Sequence, residues 1–501
     1  MFPFSFVIGV ITVIFLIFLW LRWRTDKLNL LKKCGIPGPK PNFITGNFKE
    51  FQLERGKCIE KWFKKYGKMF GFYIGAKPYI MCSDIEFLKI MEIKEFKNFC
   101  IRDASLRIFP DAGVSHELAK HAMALQKSIK WKILRSVLTN SFTSVKIKMM
   151  SRTIHGSIIE LMEKIKKENS NPLDIMQLYS GSMFNVMSKL ILGVTFNEES
   201  EEYSKVFNSL NYAFKKDIFS LSNKLSIYFP EIEPLPTYFR LFMDIARYIL
   251  KFNSTRYLFN TSKKIITSRK QLMDNQQDIL QTFLKANRNK KLARASILVN
   301  ILMLLSAGVE NMSFSLGWCS YFLARNPKVQ EKIRQEINKN IEKDKDIQYE
   351  DLVKLQYLDQ AISETLRLSP VSLFVVSRAC EQDFIYKGLT IPKHVGIFVP
   401  TIILHRDPNY WQEPNKFDPD RFSPENRINI NPMTYQPFGA GPRNCVAYRM
   451  ARTVMKLVMA NLIRSFIFDA YEYEASEMAP SIFFTLLNNP ILIKATSITS
   501  T

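Results

Sequence analysis

The chain has few of the side chains that build disulfide frameworks and structural metal sites. Its 501 residues include seven cysteines, an odd number without a CxxC pair, and five histidines without an HExxH motif. This scarcity argues against a disulfide scaffold, a zinc site and a histidine-rich metal centre, and it indicates a reducing compartment. Internal repeats and low-complexity tracts are also lacking, whereas 47% of the residues are hydrophobic. That apolar content excludes a disordered or collagen-like chain, because it is enough for a large core.

Acidic residues are too few to balance the basic ones. Lysine and arginine number 70 against 46 aspartates and glutamates, which gives a formal net charge of +24. Such an excess is typical of proteins that contact nucleic acid, an anionic membrane or an acidic protein partner. Composition alone leaves all three partners open.

Charged residues are absent from positions 1–21, a run rich in Phe, Ile, Val and Leu. The run is about long enough to cross a bilayer as a helix. Arg22, Arg24 and Lys27 follow it, so the positive-inside rule places the rest of the chain in the cytosol. A cleaved signal peptide is the alternative, but the run has no basic n-region and no small-residue cleavage site. We therefore predict an uncleaved transmembrane signal anchor at residues 1–23.

Residues 24–50 are predicted to form a basic, Pro-rich hinge. Within them, the segment 35–41 reads Gly-Ile-Pro-Gly-Pro-Lys-Pro, in which alternating prolines fix φ and remove backbone donors. This segment is typical of a stiff spacer between an anchor and a cytosolic body, and an ordinary turn-rich loop is the alternative. Residues 51–501 are predicted to form that body as one domain.

The hydrophobic pattern of the body predicts a mainly helical fold with a small β portion. Residues 70–81 alternate apolar side chains around Gly and Pro, which suits a short β-hairpin, and strand-like runs return at 384–391 and near 483–493. The clearest helices by periodicity are predicted at residues 173–196, 277–286, 329–340 and 358–368.

Residues 295–324 contain a single charged side chain, Glu310. By length this segment could be a second membrane span, but several Asn and Ser residues make it poor as a lipid-facing helix. We therefore predict a long helix through the centre of a large domain. An acid in the middle of such a helix is costly unless it is paired or functional, and a satisfied core carboxylate is the alternative.

The segment 437–445 reads Pro-Phe-Gly-Ala-Gly-Pro-Arg-Asn-Cys and precedes a predicted helix at 449–466. Gly439 and Gly441 predict a tight loop that places the Cys445 thiol at a helix N-terminus, where the thiolate is favoured. The small residues let a flat cofactor approach the backbone. A lone loop cysteine is more often inert packing, but its Gly and Arg neighbours make this the strongest candidate site in the chain.

Two short spacings place complementary side chains on single helix faces. Glu364 and Arg367 stand at i and i+3, and Arg421, in a Pro-marked loop, could join them in a buried cluster. Trp131 and Arg135 stand at i and i+4, where indole and guanidinium can both donate to an acidic cofactor edge. The alternatives are a solvated surface pair and an interface-type helix face.

Taken in chain order, these motifs resemble the cytochrome P-450 superfamily of heme-thiolate enzymes over nearly the whole chain. The resemblance implies the cytochrome P-450 fold, with one large catalytic domain at 51–501 behind the N-terminal transmembrane helix. The wording at residues 142–146, 404–408 and 437–445 is similar to the animal microsomal branch, which includes the broad drug-oxidising enzymes and thromboxane synthase.

The resemblance implies a role for each candidate residue. Cys445 would be the axial thiolate on the iron of heme b, and Glu310 would lie in the oxygen-binding groove of the central helix. A buried structural triad is implied for Glu364, Arg367 and Arg421. Cofactor binding, at the heme propionates or beside the heme, is implied for Trp131, Arg135, Ala307, Arg378, Phe438 and Arg443.

Two positions depart from the family pattern. Ala447 replaces the Gly usually found two residues after the cysteine, a small change that the loop should tolerate. Asn311 replaces the Thr that normally follows the acid, hydrogen-bonds oxygen and guides protons. Some relatives that lack this Thr are isomerases and others are hydroxylases. Glu310 and Asn311 are therefore expected at the catalytic centre, while the reaction type depends on what Asn311 allows.

The function implied by the resemblance is that of a monooxygenase. It would insert one atom of O2 into a lipophilic small molecule of xenobiotic, steroid or fatty-acid type. NADPH would supply electrons through a flavoprotein reductase, with cytochrome b5 as a further candidate partner. Two alternatives stay open. One is a heme-thiolate isomerase that rearranges a lipid endoperoxide or hydroperoxide without a reductase, and the other is a non-catalytic heme- or lipid-binding membrane protein.

The resemblance also implies a single-pass protein of the endoplasmic reticulum membrane with its catalytic domain in the cytosol. Membrane lipid and an acidic redox partner then account for the basic excess, and nucleic acid is not expected. Apolar side chains that recognise the substrate are implied in four segments, at residues 102–126, 207–242, 371–376 and 483–487.

Overall fold

Helices with a few short strands make up the part of the chain that the structure describes. The computed structural model describes residues 4–53, 57–102, 120–215, 221–232, 256–271, 278–289, 292–371, 376–471 and 490–498, with isolated positions between 235 and 246 and the pairs 479–480 and 485–486. One unit contains Met1–Arg107, Asp217–Arg247 and Val376–Pro400, and a second contains Ile108–Lys216, Tyr248–Val375 and Thr401–Thr501. The mainly helical fold class with a small β portion is confirmed.

Each of the six helices predicted from the sequence is present, with ends shifted by up to four residues. The helices are α1 Phe4–Leu28, α2 Leu30–Lys33, α3 Phe48–Leu53, α4 Lys57–Tyr66, α5 Ile85–Lys89, α6 Ser128–Thr139, α7 Ser144–Lys167, α8 Ile175–Leu192, α9 Glu201–Lys215, α10 Leu221–Tyr228, α11 Arg256–Gln271, α12 Ile279–Arg288, α13 Arg294–Arg325, α14 Pro327–Asn340, α15 Gln356–Leu368, α16 Thr401–Leu404, α17 Pro424–Arg427 and α18 Tyr448–Ser465. The strands are β1 Met69–Ile74, β2 Lys77–Cys82, β3 Leu173–Asp174, β4 Val376–Ala379, β5 Phe384–Tyr386, β6 Leu389–Ile391, β7 Gly396–Val399, β8 Phe466–Ala470, β9 Ala479–Pro480, β10 Thr485–Leu486 and β11 Leu492–Ser497.

The first unit begins with the apolar helix α1. Its segment Phe6–Leu28 is long and apolar enough to cross a membrane, and its most apolar stretch is 0% buried. A lipid environment suits such a surface, because exposed apolar side chains in this number are unfavourable in water. The predicted anchor boundary at residue 23 falls inside this helix, and the three predicted domain boundaries remain predictions.

The C-terminal end of α1 is fixed by a buried arginine. The Arg24 side chain has 0% exposure and forms an ion pair with Glu231. Its Nε donates to the carbonyl oxygen of Phe43 at 2.6 Å, and Nη2 donates to those of Ile44 at 2.7 Å and Tyr228 at 2.8 Å. Arg24, which the sequence groups with a basic flank, therefore contributes nothing to the surface charge.

A four-stranded sheet forms the body of the first unit. Its strand order is β1-β2-β7-β4, with β2 and β7 parallel and the other two pairs antiparallel. The predicted hairpin at 70–81 is confirmed, since Phe70 is opposite Met81 in the β1–β2 register. Strands β5 and β6 form a second hairpin inside the predicted run 384–391.

The Pro-rich segment lies against β1. The backbone N–H of Gly71 donates to the carbonyl oxygen of Pro37 at 2.7 Å, and Ile36 is buried beside it. A Cβ added to Gly38 would lie 2.0 Å from the carbonyl oxygen of Gly71, so only glycine fits there. The stiffness predicted from the prolines is thus reinforced by packing onto the sheet.

The second unit is built around helix α13, the predicted central helix. Most of its apolar stretch, 61%, is buried inside the unit, as expected for a core helix. Helix α8 crosses it closely at two glycines, because a Cβ added to Gly308 would meet Met187 Sδ at 2.8 Å and one added to Gly317 would meet Met176 Sδ at 2.0 Å. The unbranched thioethers fill the space that the missing side chains leave.

Helix α8 begins two residues after the predicted start at 173. The Asp174 carboxylate accepts hydrogen bonds from the backbone N–H groups of Met176 and Gln177, both at 3.1 Å, which caps the helix. Leu173 and Asp174 pair with β11 as a short strand instead. The helix ends at Gly193, whose φ of +66° is the left-handed conformation common at helix C-termini.

Candidate active site

The loop before α18 is closed tightly around Cys445. The backbone N–H of Cys445 donates to the carbonyl oxygen of Phe438 at 2.8 Å, and that of Asn444 donates to Gly441 at 3.1 Å. Gly439 and Gly441 have φ of +72° and +65°, a region in which residues with a side chain are strained. The loop presents a half-buried thiol that belongs to no disulfide, three residues before the helix begins.

Two guanidinium groups hold this loop, one from helix α6 and one from the loop itself. Arg135, on α6, donates through both terminal nitrogens to Asn444, at the backbone oxygen and at Oδ1, the latter at 2.6 Å. Arg443 is buried, its guanidinium lies 4.5 Å from the centre of the Trp131 ring, and Nη2 donates to the carbonyl oxygen of Gln126 at 2.5 Å. The structure therefore brings Trp131, Arg135 and Arg443 together with the cysteine loop, as their proposed shared use requires.

The pKa of Arg135 responds to this setting, although the guanidinium stays charged. Burial lowers the pKa of its guanidinium, and the negative charge of a Cys445 thiolate acts in the opposite direction. A cation close enough to respond to the sulfur charge also stabilises the thiolate relative to the thiol. Arg135 thus orders the cysteine loop and places a positive charge near its sulfur.

One face of the central helix α13 borders open space. Ala307 is exposed, although Leu305 and Val309 on either side of it are fully buried. Glu310 and Asn311, which follow Ala307 by three and four residues, are partly exposed. Residues at these spacings share one face of a helix. The three predicted residues of the central helix therefore share one face, which is more accessible than Leu305 and Val309.

Glu364 and Arg367 form a fully buried ion pair on α15. Arg367 donates through Nε to Oε2 and through Nη2 to Oε1, both at 2.7 Å, and both side chains have 0% exposure. Its Nη1 donates to the carbonyl oxygens of His405 at 2.8 Å and Pro414 at 2.7 Å. The bidentate geometry and the further acceptors offset the cost of burying the charges.

The same carboxylate holds the connection that follows α16. The backbone N–H of Asp418 donates to Glu364 Oε1 at 3.0 Å, and Arg421 Nε lies 3.3 Å from that oxygen. Arg421 also donates through Nη2 to the carbonyl oxygen of Glu413 at 2.9 Å. Glu364, Arg367 and Arg421 therefore lie in one cluster that fastens the long connection onto α15.

Arg378 belongs to the first unit, whereas the other candidate residues belong to the second. It is buried on β4, opposite Ile397 of β7, and its Nη1 donates to the carbonyl oxygen of Ser377 at 3.1 Å. Its role as a propionate ligand remains a prediction.

The donor set fits an iron porphyrin. A thiol beside a guanidinium suits a soft transition metal that needs one protein ligand, and two guanidiniums with an indole suit a pair of carboxylates. Within the described residues, no three His, Cys, Asp or Glu side chains are grouped as a metal site would need. A metal held entirely by protein ligands therefore does not fit this part of the chain.

Comparison with known proteins decides the family. A family model described as Cytochrome P450 matches residues 36–495. This chain belongs to the cytochrome P450 family. It is 32% identical to Cytochrome P450 3A14 of Cavia porcellus over 453 residues, which cover 89% of this chain and 88% of that protein. It is 29% identical to Cytochrome P450 3A13 of Mus musculus over 481 residues, which cover 95% and 94%.

Membership in the cytochrome P450 family fixes the class of chemistry. The chain is a cytochrome P450 monooxygenase, an oxidoreductase that uses heme b and NADPH-derived electrons delivered through a reductase partner. The family resemblance drawn from the sequence motifs is confirmed.

Several residues that shape this P450 site escaped the sequence patterns. Asn444 and Gln126 hold the two guanidiniums, and His405 lies between Arg367 and Gln436. Spacing could not reveal these contacts, because each joins segments from 31 to 317 residues apart. Two signals were available, since His405 belongs to the wording at 404–408 and Asn444 to that at 437–445, both of which resemble the microsomal branch.

Burial and charge suppress protonation of His405. Its ring is fully enclosed and close to the guanidiniums of Arg367 and Arg406, and burial foremost lowers its pKa to about 3. The ring stacks on Tyr435 with centroids 5.3 Å apart. At neutral pH His405 is therefore an uncharged part of the core.

Proposed function

We propose that this cytochrome P450 is anchored in the endoplasmic reticulum membrane and oxidises lipophilic small molecules in the cytosol, with electrons from an NADPH-dependent flavoprotein reductase. The observation that carries the proposal is the Cys445 loop. In it the thiol lies near the guanidinium of Arg135 and near the stacked pair of Arg443 and Trp131. The apolar helix α1 supports the membrane location, and the basic excess supports docking of an acidic reductase.

The cofactor would be held by residues of the cysteine loop and α6. Cys445 would be the iron ligand through its thiolate, and Phe438 would pack beside it. Arg135, Arg443 and Trp131 would bind the propionates. When bound, heme supplies the reductive activation of O2. The stack of Arg443 on Trp131 would keep the guanidinium in place before the cofactor arrives, which lowers the entropy lost on binding.

The open face of α13 would control water and protons. Ala307 has no side chain beyond Cβ, so it would leave room for a flat cofactor. Glu310 has a carboxylate that can bind and release a proton, whereas the Asn311 amide can donate a hydrogen bond but does not exchange a proton as readily as a hydroxyl. We therefore assign proton delivery at this face to Glu310 and hydrogen-bond donation to Asn311 Nδ2.

The iron-ligand assignment is tested by the spectrum of the reduced protein with carbon monoxide. The wild-type chain should give the strongly red-shifted Soret band of a thiolate ligand, and Cys445→Ala should lose it. Cys34→Ala is the matched control, because Cys34 is also half-buried but lies in the first unit. Survival of the band in Cys445→Ala would contradict the assignment, as would its loss in the control.

The reaction is tested by turnover with and without reductase. Product formation from lipophilic substrates should require NADPH and reductase, and it should fall steeply with added salt because the docking charges are screened. Rearrangement of a lipid endoperoxide without NADPH, with no reductase-dependent oxidation, would instead support the isomerase that Asn311 suggests. Adding cytochrome b5 to the same assay tests it as a second electron donor.

The substrate is best approached by ligand screening. Of the four segments expected to recognise it, most of 102–126, 371–376 and 483–487 lies outside the described residues, as do parts of 207–242. A panel of steroids, fatty acids and xenobiotics should be titrated against the purified protein, with a spin-state shift of the heme as the readout. A shift with charged, water-soluble compounds alone would overturn the lipophilic class.

A further inference from the structure

His405 connects helix α15 to the segment that leads into the cysteine loop. On the α15 side the contact is reciprocal, because Arg367 Nη1 donates to the backbone oxygen of His405 at 2.8 Å while His405 Nδ1 lies 3.1 Å from the backbone oxygen of Arg367. On the other side, His405 Nε2 lies 2.8 Å from the backbone nitrogen of Gln436. A single buried ring thus makes side-chain hydrogen bonds to two segments.

The partners of the ring leave only one protonation state. The carbonyl oxygen of Arg367 can only accept a hydrogen bond, so Nδ1 must carry the hydrogen. The backbone N–H of Gln436 can only donate, so Nε2 must carry the lone pair. His405 is therefore neutral with its hydrogen on Nδ1, and a second proton on Nε2 would face the N–H of Gln436.

Three hydrogen bonds lead from this ring to the cysteine. His405 holds the N–H of Gln436, and the carbonyl oxygen of Gln436 accepts from the N–H of Gly439 at 3.0 Å. The carbonyl oxygen of Phe438 then accepts from the N–H of Cys445 at 2.8 Å. Gln436 is itself buried. Without the imidazole its N–H would therefore have no acceptor and could not reach bulk water.

We propose that His405 is a positioning residue that holds the start of the cysteine loop through Nε2 and thereby sets the orientation of the Cys445 thiolate. The inference rests on the proposed role of Cys445 as the iron ligand. His405 acts through Gln436 and Cys445, at the loop end of the cluster that Glu364 and Arg367 form on α15.

Two amide substitutions separate the two functions of the ring. In His405→Gln, the longer side chain can place Oε1 where Nε2 lies, so the acceptor for Gln436 is retained. In His405→Asn, Nδ2 can take the place of Nδ1 and donate to Arg367, but the acceptor for Gln436 is lost. Both variants lose the stack on Tyr435, so comparison between them cancels that effect.

The readouts are the carbonyl spectrum and amide hydrogen exchange of the heme-loaded protein. At equal heme content, His405→Asn should lower the share of red-shifted carbonyl complex roughly fivefold, the size expected when one buried donor loses its acceptor. Exchange at the Gln436 amide should rise roughly tenfold or more in the same variant. His405→Gln should stay within about twofold of the wild type in both measurements.

Trp411→Phe is the control for general loosening. Trp411 Nε1 donates to the carbonyl oxygen of Leu404 at 3.2 Å, one residue before His405, and does not contact Gln436 through a hydrogen bond. This variant should unfold at a lower temperature and keep the red-shifted band.

The outcomes distinguish failure of the His405 inference from failure of the proposed function. If the wild type lacks the red-shifted band, the iron-ligand proposal fails. If the wild type has the band, three results would overturn the role of His405 alone: an unchanged band and amide exchange in His405→Asn, equal loss in His405→Gln, or equal loss in Trp411→Phe.

Discussion

Arg24 in the first unit and Arg367 in the second are both fully buried, yet they are held in different ways. Arg367 meets Glu364 three residues away on the same helix, through two parallel hydrogen bonds. Arg24 meets Glu231 from a segment 207 residues away and otherwise relies on three backbone carbonyls. A pair on one helix can form with that helix, whereas the Arg24 contacts need three distant segments to assemble first.

The two glutamates differ in how completely their oxygens are used. Glu364 accepts from Arg367 with both oxygens and from the backbone of Asp418 with one of them. Glu231 accepts from Arg24 and from Trp20 Nε1 through Oε1 alone. The comparison shows that two equally buried arginines need not depend equally on the charge of their carboxylate partners.

The largest effect that tests this comparison is expected for Glu364→Gln. The amide NH2 would face Arg367 or the Asp418 N–H, so buried donors would meet a donor and the cation would lose its counter-charge. We expect a loss of about 3–5 kcal/mol in the free energy of unfolding, measured with urea. Glu331→Gln is the control, because Glu331 pairs with Arg334 at the same i,i+3 spacing but is half-exposed, and it should cost about 0.5 kcal/mol or less. Equal costs would contradict the distinction.

An intermediate loss of stability is expected at acid pH, and it should arise from protonation of His405. The folded-state pKa of about 3 lies below the usual value of 6.5, so protons bind the unfolded chain first as pH falls. The stability is complete above pH 6.5 and decreases by about 1.4 kcal/mol per pH unit below it. Unfolding curves at pH 6.5 and 5.0 should therefore differ by about 2 kcal/mol more in the wild type than in His405→Gln. If the free energy of unfolding fell equally with pH in both proteins, the acid sensitivity would arise from groups other than His405.

The smallest effect is expected for Glu231→Gln. The amide oxygen can still accept from Arg24 and Trp20, and Arg24 keeps its three carbonyls, so the local loss should be about 1 kcal/mol. Faster amide exchange at residues 43–46, in detergent micelles, is the measurement. Asp26→Asn provides the control, since Asp26 and Lys33 form an exposed pair nearby, and it should leave this exchange unchanged. If Glu231→Gln lowered the free energy of unfolding as much as Glu364→Gln, the two arginines would depend equally on their carboxylates, which would contradict the comparison.

Much of the fold was predictable because it depends on local spacing. The long, nearly uncharged stretch at 295–324 located the central helix to within one residue at either end, and the i,i+4 and i,i+3 spacings placed Trp131 with Arg135 and Glu364 with Arg367 on single faces. Glycines and prolines identified the cysteine loop. These features depend on backbone geometry over a few consecutive residues, so they can be derived from the sequence alone.

The contacts that were not predictable join distant segments. Arg24 belonged to a basic flank by its neighbours, and only the folded chain places Glu231 beside it. His405 showed no pattern of its own, since its partners are two backbone groups that any residue could supply. The start of α8 was also predicted two residues too early, because the Asp174 side chain caps the helix there.

The close approach of Gly38 to Gly71 has a consequence for inherited variation. The atom that a methyl group at Gly38 would strike, at 2.0 Å, is a backbone oxygen and cannot rotate away, whereas at Gly317 it is the sulfur of a flexible Met176 side chain. A saturation mutagenesis scan should therefore find Gly38 intolerant and Gly317 forgiving. A Gly38 variant should therefore fail in folding rather than in catalysis, although the position takes no part in the chemistry.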